Sequence, residues 1–583
     1  MNNKLALSSQ IITSAHGEPA DIVITNGKIV DVFNSTIITD QSIAITDGMI
    51  VGIGPYEGTK TIDAKGKYIV PGLIDAHVHI ESSMMTPQHF SDALLPHGVT
   101  TAITDPHEIA NVLGKQAIQF MIDESDKADL DIYTMLPSSV PSTPFETSGA
   151  TLTANDLAHF NHHPKVLGLA EVMDYPAVMN RDDDMLNKLN MAKSAGKNID
   201  GHASGLSSTA LNVYRTAGIL TDHECTTAEE ALVRTQRGFY VMMREGSVAK
   251  DLLSLLPAVT AKNSRRFMFC TDDKHPDDLL KEGSIDFNIR LAIKNGLDPI
   301  TAIQLATINA ATCFNLKEKG AIAPGFEATF LFVNDLNNFT ADEVFLRGKK
   351  IVKNGQLVIS TENELTPPEQ IVQTVKIPNL TENDFMIHMA GKTKAHVIGV
   401  QPNSLITDHL IKTVDKDSNG YFTPSLSKDQ LTLAVIERHG KTSNIGLGIV
   451  TGIGLKKGAI ATTIAHDSHN IIVVGTSTAD ILCAVRSIEQ HQGGLTIVSE
   501  GVEIDTFPLP IGGLMSPLSV KEAAHHLTKL HETFTNSGSR TEFNPFLTLS
   551  FLALPVIPSL KLTDMGLFDT TKMAHIPIPA AES

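Results

Sequence analysis

The sequence predicts an α/β chain: an eight-stranded barrel of the TIM type interrupts a small β domain, and an additional α/β-type domain follows it. Three observations predict this. Alternating strands broken by Asn-Gly and Asp-Gly fill residues 21 to 66 and a similar texture returns at 321 to 358. Between them, strand-like and amphipathic segments alternate over about 250 residues, the size and rhythm of a (β/α)8 barrel. A Gly-rich, apolar final third then has a texture of its own.

Taken in order, residues 1–67 and 321–365 read as the two parts of one β domain. The chain ends of an inserted domain usually lie close together, so one sheet domain can be built from both flanks. Asp-Gly and Asn-Gly are type I′ hairpin signals between such strands. The barrel, 68–320, has candidate strands at 68–80, 98–104, 129–136, 165–172, 197–203, 218–224, 238–244 and 266–272, with amphipathic segments such as 112–126 and 226–236 between them. Residues 366–583 form the C-terminal domain. The Gly-x-Gly at 446 and 448 fits neither phosphate-loop nor dinucleotide spacing and reads as tight turns.

Composition bounds the function. A chain of 583 residues with 42% hydrophobic and 19% charged residues can bury more than one core. A net charge of −19 disfavours binding to nucleic acid, which needs a basic face. No apolar run reaches membrane-spanning length, and the opening residues lack a signal-peptide core. A cytoplasmic location and no membrane partner are the default expectations. The 4 cysteines, Cys225, Cys270, Cys313 and Cys483, show no Cys-x-x-Cys spacing and read as reduced core residues.

The chemistry is concentrated at strand ends. His77 and His79 close the apolar run from Tyr68, and a strand's two-residue period sends both imidazoles from one face. Glu171, His202, His223 and Asp272 each stand at or just past the end of a short apolar run. Barrel active sites are assembled at the C-terminal rim from several strands. Four imidazoles and two carboxylates there suit divalent zinc, manganese or iron. His77, His79 and Asp272 would hold one ion, His202 and His223 a second, with Glu171 bridging. Metal coordination lowers the pKa of water from about 15.7 to near neutrality, so metal-assisted hydrolysis at an electrophilic carbon is the expected reaction. Asp272 is the expected proton shuttle. Asp273 should point to the other face, although it remains an alternative base.

The run Val-Pro-Gly-Leu-Ile-Asp-Ala-His-Val-His resembles the amidohydrolase superfamily. The strings at 79–87, 104–112, 243–247, 465–470 and 509–516 resemble its adenine deaminase family, and the likeness spans the whole chain. The resemblance implies a metal-dependent hydrolase barrel, hydrolysis of adenine to hypoxanthine and ammonia, and two divalent transition metals, manganese or iron. It also implies a bridging Glu where many relatives use a carbamylated Lys, and Glu171 supplies it. Adenine and water are then the small-molecule partners, and a homo-oligomer is expected.

Attack at C6 of adenine needs a second acid for ring N1. His107, Glu108, Glu81 and Glu245 are the candidates, with His107 and Glu108 placed among the catalytic residues. Glu81, Arg244, Glu245, His466, Asp467 and His469 are the expected substrate-binding set, the last three on a loop read as a lid. The competing readings are another cyclic amide, ureide or aminopurine-like substrate, and a non-catalytic scaffold.

Overall fold

A computed structural model describes residues 3–358, 367–402, 404–539 and 542–581. The eight barrel strands are β1 (Leu73–Val78), β2 (Val99–Thr104), β3 (Asp131–Leu136), β4 (Val166–Val172), β5 (Asn198–Gly201), β6 (Thr221–Asp222), β7 (Tyr240–Arg244) and β8 (Phe267–Cys270). β1 to β5 form one parallel sheet and β6 to β8 another. The Leu220 N–H donates to the Ile199 carbonyl across one seam, and His79 N–H to the Asp272 carbonyl at 3.0 Å across the other. A parallel bridge between Val78 and Asp272 completes the closure. Inside, Ile74, Ala76, Ile103, Met135, Ala170, Met242, Met268 and Cys270 form a packed apolar plug, so the chemistry is confined to the rims.

The expected strand 68–80 is in fact two. Tyr68–Pro71 pairs antiparallel with Phe330–Val333 in a seven-stranded sheet of the small β domain, and the barrel begins only at Leu73. Gly72 makes the break, because a Cβ there would lie 2.2 Å from the Thr100 hydroxyl. The hairpin signals divide as well. Asp47 and Gly48, both at positive φ, turn Ser42–Thr46 into Met49–Gly54, as a type I′ turn requires. Asn26-Gly27 instead links strands of two different sheets, Ala20–Thr25 and Lys28–Asp31. The junction expected at 365–366 lies outside the described residues.

In the final third an eight-stranded sheet forms the core, and all but one of its strand pairings are antiparallel. Helices Thr478–His491 and Val520–Asn536 cover it. Gly446 is needed for close approach, since a Cβ there would meet the Thr563 carbonyl oxygen at 1.8 Å. All four cysteines are free, three of them buried and Cys483 half-buried. Among the described residues no helix is long and apolar enough to cross a membrane.

Candidate metal centre

The six expected donors converge at the C-terminal rim. Five are buried, and only the His202 side chain is open to solvent, at 24%. Glu171, at the end of β4, is the hub. Its Oε1 lies 3.4 Å from His79 Nε2, and its Oε2 lies 2.8 Å from His202 Nδ1 and 3.3 Å from His223 Nε2. Asp272 Oδ1 approaches His79 Nε2 at 3.2 Å and His77 Nε2 at 3.6 Å. The His77 and His223 rings stack with centroids 4.3 Å apart.

His77 Nε2 is fully buried and makes no hydrogen bond. A buried polar atom without a partner is costly unless a ligand or ion satisfies it, so this orphan fits a cation between His77, His79 and Asp272. The ligand atoms of that trio lie within 4.8 Å of one another, as do those of His77, Glu171 and His223. Burial and neighbouring His223 push the His77 pKa down, favouring the neutral imidazole that a metal binds. Burial alone would raise Glu171, but His223, His202 and His79 hold its carboxyl well below the usual range. The donor chemistry therefore fits divalent metal.

Sequence reasoning missed two carboxylates that stand beside the six. Asp105, after β2, receives the His107 Nδ1–H at 3.1 Å and offers its carbonyl to His79 Nδ1 at 2.9 Å. It thereby aims the His79 Nε2 lone pair at the centre. Against the effect of burial, Asp105 and Glu171 raise His107 to about 10. Glu224 lies 3.5 Å from His223 Nε2 and forms a donor group with His202 and His223. Burial is outweighed there by Arg244, His202 and His223, which hold Glu224 at about 2. The string Asp-His-Glu at 222–224 carries the only local signal for it.

Several expectations need correction. Asp273 does not face away. The chain leaves β8 at Cys270 and Asp272 is left-handed at φ 58°, which ends strand alternation and turns both carboxylates inward. Asp273 Oδ1 accepts from Ser82 Oγ at 2.5 Å. Burial and Asp272 raise it to about 6. Arg244 is committed to protein carboxylates. It pairs with Glu224, with Asp251 at 2.8 Å and with Asp272 Oδ2 at 3.1 Å, so its guanidinium is not free for substrate. Glu245 stands apart from these pairs: burial raises it to about 7 against the charges of Lys250 and Lys274, and its Oε2 is buried without a partner. Glu81 Oε1 accepts from the Ile109 N–H at 3.2 Å, tying two rim loops, while its Oε2 is buried without a partner.

The loop from the C-terminal domain does reach the rim. His466 Nδ1 lies 3.4 Å from Glu108 Oε1, and the His466 ring stacks on Phe551 at 4.4 Å. His466 to Asn470 are all buried, and Asn470 Nδ2 donates to the Thr147 carbonyl of the barrel at 2.9 Å. In this structure the segment is a wall of the site rather than an open lid. Burial, Asp273 and Glu81 push Glu108 well above the usual carboxylate range, which favours its neutral form.

Beneath the donors, Asp222 and Arg234 staple two ligand loops together. Asp222 pairs with Arg234 and accepts N–H bonds from Ala203 at 2.9 Å and Glu224 at 3.1 Å, while Arg234 Nη2 donates to the Ala203 carbonyl at 2.7 Å. Arg234→Met leaves a fully buried carboxylate unpaired and should cost about 3–5 kcal/mol. The expected result is a lower melting temperature with faster loss of metal to a chelator. An unchanged melting temperature would remove the staple.

The amidohydrolase family matches residues 68–353, and the adenine deaminase C-terminal domain matches residues 404–574. A protein of Geobacillus kaustophilus strain HTA426 named adenine deaminase is 53% identical, over 98% of this chain and 99% of its own. This chain belongs to the adenine deaminase family. Two further adenine deaminases, from Bacillus velezensis and Bacillus subtilis strain 168, are 53% and 51% identical, each covering 99% of this chain and 100% of their own. The adenine deaminase likeness thus includes the C-terminal domain whose loop walls the site.

Proposed function

We propose that this chain hydrolyses adenine to hypoxanthine and ammonia. The observation that carries the reading is Glu171, with one oxygen turned to His79 and the other to His202 and His223, in a chain about half identical to adenine deaminases along its whole length. Two divalent transition ions, manganese or iron, suit the donors. His77, His79 and Asp272 would hold one and His202 and His223 the other, with Glu171 between them and Glu224 close to the second. When bound, they supply Lewis acidity and an acidified water.

The chain's own groups then manage the protons. Asp272 accepts a proton from the water as oxygen bonds to C6. Glu108, whose buried surroundings favour its neutral form, delivers one to ring N1, with His107 beside it. Asp272 passes its proton to the exocyclic amine, the C6–N bond breaks and ammonia leaves. The C6 hydroxyl proton returns to Glu108 and leaves the lactam of hypoxanthine, so atoms and charge balance. His466, Asp467 and His469 close the substrate side and keep bulk water out.

The manganese-loaded protein should release one ammonia per adenine consumed and should leave dihydropyrimidines untouched. Measuring ammonia across that panel checks it. Turnover of the dihydropyrimidines without adenine would overturn the reading.

A further inference from the structure

Ser82 stands between two carboxylates of the rim, Asp273 and Glu108, and the reaction above does not use it. It lies in the short turn Ile80–Ser83 that follows β1, where its N–H donates to the His79 carbonyl at 3.2 Å. The C-terminal domain clamps the end of that turn: the Ser516 N–H and hydroxyl both donate to the Met84 carbonyl, at 2.9 Å and 3.1 Å. From this fixed position Ser82 Oγ reaches Asp273 Oδ1 at 2.5 Å and Glu108 Oε1 at 3.3 Å.

A hydroxyl has one hydrogen to give. The separation from Asp273 is that of a hydroxyl donating to a charged carboxylate, so the hydrogen is committed there. Only a lone pair of Ser82 is left to face Glu108, and two lone pairs at 3.3 Å repel unless Glu108 Oε1 carries a hydrogen of its own. The contact therefore forms with neutral Glu108 and is lost when Glu108 ionises. The charged groups around Glu108 divide: Asp273 after β8 and Glu81 in the turn favour the neutral form, whereas His79 just past β1 and His107 on the same helix favour the charged one. His466, 3.4 Å from Oε1, and His469 beside it are held neutral by burial and bring no charge. The oriented Ser82 hydroxyl adds to the side of the neutral form.

We propose that Ser82 is a positioning residue of the reaction: committed to Asp273, its hydroxyl holds Glu108 as the neutral acid that gives a proton to ring N1. This rests on adenine being the substrate and on Glu108 being that acid. Ser82 acts through Glu108 and need not touch the purine. Removing the hydroxyl takes away a partner that only the neutral form can use, so Glu108 ionises at a lower pH and less of the enzyme carries the acid.

The test is the pH dependence of kcat on adenine for the metal-loaded full chain, wild type against Ser82→Ala and Ser82→Thr, with metal content and melting temperature measured beside it. Wild-type kcat should fall on the alkaline side as Glu108 gives up its proton. Ser82→Ala should move that alkaline limb down by about one pH unit, the size of one hydrogen bond, and lower kcat beyond it by about 10-fold at unchanged metal content. Ser82→Thr, which retains the hydroxyl, should return the limb towards its wild-type position. A merely structural role would lower the melting temperature without moving the limb. If the alanine variant does not fold, Ser82→Cys, whose thiol is a weak donor, replaces it and should shift the limb in the same sense. An alkaline limb that is absent from wild type, or that stays in place in the hydroxyl-free variant, would overturn the inference. Glu108→Gln with wild-type turnover would instead overturn the role of Glu108 beneath it, and absence of adenine turnover in wild type would overturn the substrate.

Discussion

Glu171→Gln is expected to empty the centre and abolish turnover together. The wild-type protein should carry about two transition metals per chain, as the donor count requires. Glu171 is the only donor whose two oxygens meet imidazoles on both sides. Removing its charge brings His79, His202 and His223 together around a neutral amide, with nothing between the ions to offset their repulsion. Loss of a single outer-shell partner typically costs 10- to 100-fold in metal affinity. Loss of the shared ligand should therefore exceed about 100-fold, and elemental analysis after desalting reads it directly. A variant that retained both metals and full turnover would remove Glu171 as the bridge.

The second large effect belongs to Asp272. Its Oδ1 lies between His77 and His79 while Oδ2 takes the Arg244 guanidinium at 3.1 Å, so one carboxylate is positioned both to ligate and to move a proton. General acid–base catalysis alone is worth about 10²- to 10⁴-fold. Asp272→Asn should lower kcat by about 10³-fold or more and leave partial metal binding through the histidines. Asp273→Asn should be milder, because that carboxylate is hydrogen-bonded to Ser82 and no imidazole contacts it directly. Steady-state kinetics beside metal analysis decides between them, and the reverse ranking would make Asp273 the shuttle.

The behaviour of these two neighbours shows why some of the site could be read from the chain and some could not. The meeting of the six expected donors at one rim was legible because each ends an apolar run, and a parallel barrel delivers the ends of its strands to one rim. The order of the eight strands was legible for the same reason, although the first expected strand divided at Gly72. β6 shrank to Thr221–Asp222, yet His223 still emerged at the rim, because strand order fixes the place more than strand length does. Asp273 was misread because alternation holds only within a strand, and the left-handed turn at Asp272 had already ended it. Arg244 and Glu245 were misread for another reason. Adjacent polar residues at the end of β7 look equivalent in sequence, but one pairs with Glu224 and Asp272 while the other keeps a buried carboxylate oxygen without a partner.

The sequence by itself determined the barrel, the composite β domain, the gathering of six polar residues at one rim and, through its family strings, the kind of chemistry. These follow from periodicity and from residue types at strand ends, which are local properties. Only the tertiary structure decided which carboxylates stand beside those six residues. Asp105, Glu224 and the Asp222–Arg234 staple act through contacts between loops that follow different strands, and no local pattern encodes them. The same holds for the His466–His469 wall, which reaches Glu108 from 358 positions further along the chain. Hydrogen bonds and ion pairs depend on distances of a few ångströms, and those distances exist only once the barrel has closed and the C-terminal domain has packed onto it.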